Sequence, residues 1–427
     1  MNQTKKPTRV RLFVAIVLFI SVVINYIDRT NISIAAPLIK KDLNLNSVQL
    51  GYILSAFGWT YALLQIPGGW VLDRLGSRIT YTISLFFWSL ATLLQSVARG
   101  FGSLFGLRLG LGGMEAPAYP TNSRIVATWF PDREQGSVIG FYTSGQFVGL
   151  AFLAPVLVKI VSSFGWRSLF IITGIAGLIW SIIWYGLYRD PRKNQRVNQA
   201  ELDYIQSGGG LGIDKGVGTE QKSGFGDLKY AFKSRKLWGI YIGQFAVTST
   251  LWFFLTWFPT YLVNYRHIDY LKSGFFESLP YLAAFVGVLF SGFVSDFLIK
   301  RGKTAAAARK TPVITGLLLS VVIIGANYVD RPSLIVLFMT IAFFGNGLAS
   351  ITWVFVAKLA PAKLLGLTGG VFNFIGNLSS IIIPIGIGYL VKGGSFAPAL
   401  IFIAILALIG ALSYTFLVGK VERIKID

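Results

Sequence analysis

Asp28, Arg29, Arg108 and Glu115 fall inside stretches that are otherwise almost wholly apolar. Holding an ionisable group in such surroundings is costly, so its presence is a functional hypothesis by default. Arg108 and Glu115 are seven residues apart, about two helical turns, and would share one face of a helix. A guanidinium stays charged and offers a planar fork that a carboxylate accepts bidentately, which makes Arg29 a candidate clamp for a carboxylate anion. Asp28 and Glu115 are candidate proton carriers. Desolvation disfavours their charged form while a nearby Arg favours it, and that balance lets a proton come and go. The alternative is a set of purely structural ion pairs, which apolar packing would replace without the desolvation penalty.

The elements that must position these groups are membrane spans. Of the 427 residues, 54% are hydrophobic and only 13% charged, and the mean hydropathy is +0.63, far from the composition of a soluble domain. Apolar stretches recur at 10–36, 48–72, 78–98, 102–128, 136–163, 167–188, 237–264, 271–299, 311–329, 332–357, 364–391 and 395–419. They predict an all-α integral membrane protein of twelve transmembrane helices. The long polar segment 189–236, with ten basic residues, reads as a linker joining an N-terminal six-helix bundle (1–188) to a C-terminal one (237–427). Within it Asn198 to Glu201 reads as a capping box opening a short amphipathic helix with Leu202 and Ile205. Basic residues crowd the even-numbered connections (Arg74, Arg78, Arg124, Arg133, Lys300, Arg301, Lys303). By the positive-inside rule both termini and the linker are expected in the cytoplasm. Gly69-x-x-x-Asp73 before Arg74 and Arg78 is echoed by Gly292-x-x-x-Asp296 before Lys300 and Arg301. Such six-helix repeats imply pseudo-symmetric bundles, a midplane site and alternating access. The first apolar run, behind Lys5, Lys6, Arg9 and Arg11, is read as an uncleaved first span.

The rival outside transport, a non-transporting membrane enzyme or receptor, is disfavoured. There is no Cys and one His, His267, so neither a metal cluster nor a nucleophile with its base is in view. Gly208 to Gly212 lacks the Lys-Ser/Thr of a phosphate loop. The net charge of +21 is expected beside lipid headgroups rather than on nucleic acid. No cofactor is expected, and a monomer is. A cation or drug exporter would carry an acidic pocket without Arg29. Tyr26, Tyr61, Gln146, Gln244, Ser350, Thr352, Trp353 and Asn373 are polar and aromatic side chains within the apolar stretches, of types that can line a small-molecule pocket. Read singly, each could equally be helix glue or core.

Gly68 to Arg78 resembles the loop signature of the major facilitator superfamily. Asn25-Tyr-Ile-Asp28-Arg29, Gln65-Ile-Pro-Gly-Gly, Glu115-Ala-Pro-Ala-Tyr-Pro and Trp129-Phe-Pro resemble its anion:cation symporter branch. The segments Phe141 to Gly149, Gly243 to Val247, Trp252 to Pro259 and Ser350 to Trp353 look like bacterial D-galactonate:proton symporters, whereas Gly376-Asn377-Leu-Ser is closer to glucarate carriers. The resemblance implies a proton-coupled importer of a sugar acid in the bacterial inner membrane, with D-galactonate as the best guess and glucarate or hexuronate as alternatives. It implies Arg29 and the eight polar and aromatic residues above as the substrate site. It further implies Asp28 and Glu115 as coupling carboxylates sensed by Arg108, and Asp73, Arg74 and Arg78 as a cytoplasmic gate. Glu277 matches no pattern in that resemblance.

Overall fold

The computed structural model describes residues 6–212, 232–361 and 364–424. Lys5 and residues 213–231 of the expected linker lie outside them. The described chain is helical throughout: α1 (Val10–Asp42), α2 (Ser47–Leu94), α3 (Phe101–Glu115), α4 (Ala118–Trp129), α5 (Asp132–Phe164), α6 (Trp166–Leu187), α7 (Gln199–Ser207), α8 (Arg235–Thr256), α9 (Tyr270–Lys300), α10 (Ala305–Val321), α11 (Pro332–Leu348), α12 (Trp353–Leu359), α13 (Leu365–Leu390) and α14 (Ala397–Leu412). Helix is the secondary structure that satisfies every backbone group within one segment, which lipid demands.

Nine helices among the described residues are long and apolar enough to cross a bilayer. The three other expected spans fall on α2 and on the pair α3 and α4. At 48 residues α2 is a merged run, broken at Gly76 (φ 74°, ψ 167°). That left-handed geometry favours glycine, and it separates the apolar runs that precede Asp73 from those that follow Arg78. The pair α3 and α4 is interrupted at Ala116 and Pro117. Large apolar side chains point outward, such as Ile66, 86% exposed, and Ile182, 72% exposed. A water-soluble monomer would not present so many.

Two compact units are present. The first comprises the described parts of Met1–Asn31, Trp59–Leu150 and Ser163–Thr219; the second those of Ile32–Gly58, Ala151–Ser162 and Glu220–Asp427. In the first, α7 is docked on α1 and α5. Asn198 Oδ1 accepts from Glu201 N at 2.9 Å, the first half of the capping box. The second half differs from the sequence reading, because the fully buried Glu201 carboxylate turns to the N-terminus of α1. There it accepts from Thr8 Oγ1 (2.6 Å), Val10 N (2.9 Å), Arg11 N (3.2 Å) and Arg11 Nη1 (3.1 Å). Four donors and a helix dipole outweigh a single backbone N–H. Arg11 also bridges to Glu134 at 3.0 Å.

Candidate functional site

The first unit gathers Asp28, Arg29, Arg108 and Glu115. In α3 the residues Leu104, Arg108, Leu111, Gly112 and Glu115 are buried, a stripe at helical spacing that puts Arg108 and Glu115 on one inward face. Arg29 in α1 reaches this face: its Nε lies 2.5 Å from Glu115 Oε1. The guanidinium carbon of Arg29 sits 4.9 Å from the ring centres of both Tyr26 and Tyr61 and 5.8 Å from that of Tyr119. Aromatic faces favour a cation electrostatically and replace part of its lost hydration. Arg29 is 8% exposed, Asp28 and Arg108 1%, and Glu115 0%.

Asp28 precedes Arg29, and one residue is a turn of about 100° around a helix, so the two side chains point different ways. Asp28 Oδ2 accepts from Trp88 Nε1 at 3.1 Å, and Oδ1 from Asn31 Nδ2 at 3.4 Å. Asn31 also donates to Thr173 Oγ1 at 2.8 Å. Arg108 Nη1 donates to the backbone carbonyl of Asp28 at 3.3 Å. The carboxylate that faces Arg29 Nε is thus that of Glu115, and Asp28 is read by an indole and an amide. This arrangement can hold an anion at a caged guanidinium and can exchange one carboxylate for another there.

Of the remaining first-unit candidates, Gln146 lies half-buried on α5, one residue after Gly145. A Cβ at Gly145 would stand 2.9 Å from the carbonyl oxygen of Phe19, so α5 and α1 approach closely there. At the break of α2, Asp73 Oδ1 pairs with Arg124 Nη1 at 3.0 Å. Arg124 also donates to the carbonyl of Leu72 at 3.1 Å. Sequence reading counts Arg124 among the basic residues of the connections, whereas the structure buries it within α4. Arg74 stacks on Trp70 at 3.7 Å. Arg78 stacks on Tyr185 at 4.0 Å and donates to its carbonyl through Nε (3.0 Å) and Nη2 (2.6 Å).

The second unit holds the other candidates. Thr352 Oγ1 donates to Gln244 Oε1 at 2.7 Å, tying the 3-10 turn Ala349–Thr352 to α8. A Cβ at Gly376 of α13 would come within 2.9 Å of Gln244 Cγ, so only glycine leaves that amide room. Trp353 packs edge-on against Phe372 at 4.9 Å and is 49% exposed. Ser350 and Asn373 are half-buried, in the same turn and in α13. Gln244, Thr352, Trp353 and the residues beside Asn373 therefore form one neutral hydrogen-bonding and aromatic cluster.

Sequence reasoning assigned no site role to Tyr119, Trp88, Asn31 or Arg124. Tyr119 was within reach, four residues beyond Glu115 in the same run. Asn31, three residues beyond Asp28 in the same helix, carries an i,i+3 signal; Trp88, 60 positions away, carries none. Among the described residues, no group of His, Asp and Glu is placed to hold a metal.

Comparison with known proteins agrees with this architecture. Residues 18–308 match the family described as the Major Facilitator Superfamily. The chain is 54% identical over 422 residues to a D-galactonate transporter of Escherichia coli O6:H1, covering 98% of each protein. It is 44% identical over 428 residues to a probable galactarate/D-glucarate transporter of Bacillus subtilis, covering 98% of this chain and 94% of that one. In fold it is similar to a crystal structure of a bacterial homolog of the human lysosomal transporter Spinster. That match has a TM-score of 0.74 at 18% identity and covers 95% of this chain and 96% of the other. The chain belongs to the major facilitator superfamily.

Proposed function

We propose that this protein imports a sugar acid anion, D-galactonate, together with protons by alternating access. It would do so as a twelve-span monomer of the bacterial cytoplasmic membrane with both termini inside. The observation that carries the reading is the Arg29–Glu115 contact inside the tyrosine cage. The relatives' names support the substrate class, and the single arginine of the cage favours one carboxylate over two. A dicarboxylate such as galactarate would want a second cation to offset its desolvation.

In the substrate-free state Glu115 neutralises Arg29. An entering carboxylate competes for the same guanidinium, and Glu115, displaced in a site closed to water, takes up a proton rather than remain charged and unpaired. Anion binding and proton binding are then one event. The amide and hydroxyl groups of Gln244, Ser350, Thr352 and Asn373 meet the substrate's hydroxyls, and Trp353 supplies an aromatic wall. Asp28 offers a second protonation site. Moving a charge against 100 mV costs about 2.3 kcal/mol, so one proton per monoanion makes the cycle electroneutral and two let the voltage assist.

Thermal shift and binding competition across galactonate, gluconate, glucarate, glucuronate and galacturonate test the substrate. D-galactonate is expected to stabilise the purified protein most. Markedly stronger binding of glucarate would overturn the assignment.

A further inference from the structure

The second unit joins the last part of α1, the first part of α2 and the last part of α5 to the C-terminal half. These segments meet without intervening bulk. A Cβ at Gly51 would stand 2.5 Å from the carbonyl oxygen of Pro384, and one at Gly388 2.8 Å from that of Ser47. A Cβ at Gly274 of α9 would lie 3.0 Å from Val158 Cβ and 3.2 Å from Pro155 Cα. Tyr270 donates its hydroxyl to the carbonyl of Ile34 at 2.7 Å. At this end the sequence halves are closed on each other, and in the proposed orientation it is the extracytoplasmic end.

Glu277 stands one turn beyond Gly274 on the same helix. It is 2% exposed, and its Oε1 has no hydrogen-bond partner. The hydroxyls that share its face have given their single protons elsewhere: Tyr270 to Ile34, Tyr281 to the carbonyl of Phe254 at 3.0 Å, and Ser273 to the carbonyl of Tyr270 at 2.7 Å. They keep lone pairs, which a carboxylic acid can use as a donor and a carboxylate cannot. Both phenols are near enough to feel Glu277 electrostatically.

Among the described residues no cation compensates it. Among the described residues Glu277 forms no salt bridge, and no neighbouring charge contributes to its electrostatics. Helix α11 carries no ionisable side chain. On α10, Arg309 and Lys310 lie in the opening turns, next in sequence to the far end of α9, and on α8 Arg235 and Lys236 open the helix while Phe254 is near its end. Tyr261, in the turn after α8, accepts from Arg266 Nε at 2.8 Å, and Tyr265 lies in the same turn. Lys40 of α1 is 3.1 Å from Ser47 Oγ; Lys41, Lys159 of α5 and Lys272 of α9 are exposed. An isolated carboxylate shut away from water is penalised by several kcal/mol.

We infer that Glu277 is a gate-linked proton site: it takes up a proton as the end of the bundle at Gly274, Pro155 and Val158 closes, and releases it when that end opens. The inference uses the orientation proposed above but not the substrate. Failure of the galactonate assignment would leave it standing.

The chain has no Cys, so a single Val158→Cys thiol reports on opening of the contact. It is labelled in substrate-free proteoliposomes with a membrane-impermeant maleimide across pH 5.5 to 8.5. The rate is normalised to an exposed Lys41→Cys reference, which removes the thiol's own pH dependence. One linked proton changes the open-to-closed ratio by up to about tenfold per pH unit, so normalised labelling should rise steeply with pH. Adding Glu277→Gln, which is neutral at every pH, should leave labelling slow and flat, and Glu277→Leu should do the same if the amide does not fold. A flat profile for Val158→Cys alone, or an unchanged rise in either double variant, overturns the inference.

Discussion

The two units handle buried charge in opposite ways. In the first, the embedded charged groups meet complementary partners: Arg29 meets Glu115, Asp28 accepts from an indole and an amide, Arg108 donates to a carbonyl, and Arg124 meets Asp73. In the second, the polar candidates are neutral, and the buried carboxyl among the described residues, Glu277, forms no salt bridge there. Paired charges in a low dielectric can exchange partners, so a substrate carboxylate can replace a protein one without stranding a cation. Neutral amides and hydroxyls cannot perform that exchange, but they can distinguish one polyol from another. Under the proposed function, energy coupling would fall to the first unit and substrate discrimination largely to the second.

The strongest way to break it is at Arg29. Arg29→Lys keeps the charge and loses the planar fork that meets a carboxylate and stacks on the three tyrosines. Disrupting a buried pair costs about 3–5 kcal/mol, so uptake of labelled D-galactonate in intact cells should fall by at least about 100-fold. Normal uptake would remove Arg29 from the clamp role. Next in size are the carboxyls. Glu115→Gln should abolish accumulation driven by a proton gradient while counterflow exchange persists, because the amide mimics the protonated acid but cannot cycle. Asp28→Asn should also abolish accumulation. Wild-type accumulation by both variants would move coupling to another carboxyl.

Smaller effects sharpen the other side. Thr352→Val and Gln244→Ala each remove one side of a neutral hydrogen bond. At about 1–1.5 kcal/mol apiece, they should raise KM roughly tenfold and alter the ranking of sugar acids with proton coupling intact. An effect on the proton-to-substrate ratio would mean the division between units is wrong. Smallest is Asn198→Ala, which removes the cap of α7 for about 1 kcal/mol. It should lower Tm by a few degrees and leave uptake unchanged.

The spans were legible because bilayer thickness imposes long apolar runs, and the break at Gly76 showed in the polar cluster from Asp73 to Arg78. The seven-residue spacing of Arg108 and Glu115 was enough to place them on one face. Which cation meets which anion was not legible. Arg29 and Glu115 are 86 positions apart, whereas adjacency in sequence ties Arg29 to Asp28, from which helical geometry turns it away. Arg124 counted as a loop charge because its sign fits the topology rule, yet its partner, Asp73, lies in another helix. Glu201 satisfied a local capping pattern and was claimed by the start of α1, since four donors at a helix N-terminus outcompete one. Tertiary contacts settle such choices, and a linear pattern lists only the contestants.

The account's central claim is that a substrate carboxylate displaces Glu115 from Arg29 and so loads a proton. Calorimetric titration of the purified protein with D-galactonate at a series of pH values tests it directly. Binding that takes up a proton should weaken as pH rises, by up to about tenfold in Kd per unit, while Glu115→Gln should bind with a Kd that varies far less with pH. The same steep dependence in both proteins, or none in the parent, would contradict the exchange of carboxylates at Arg29.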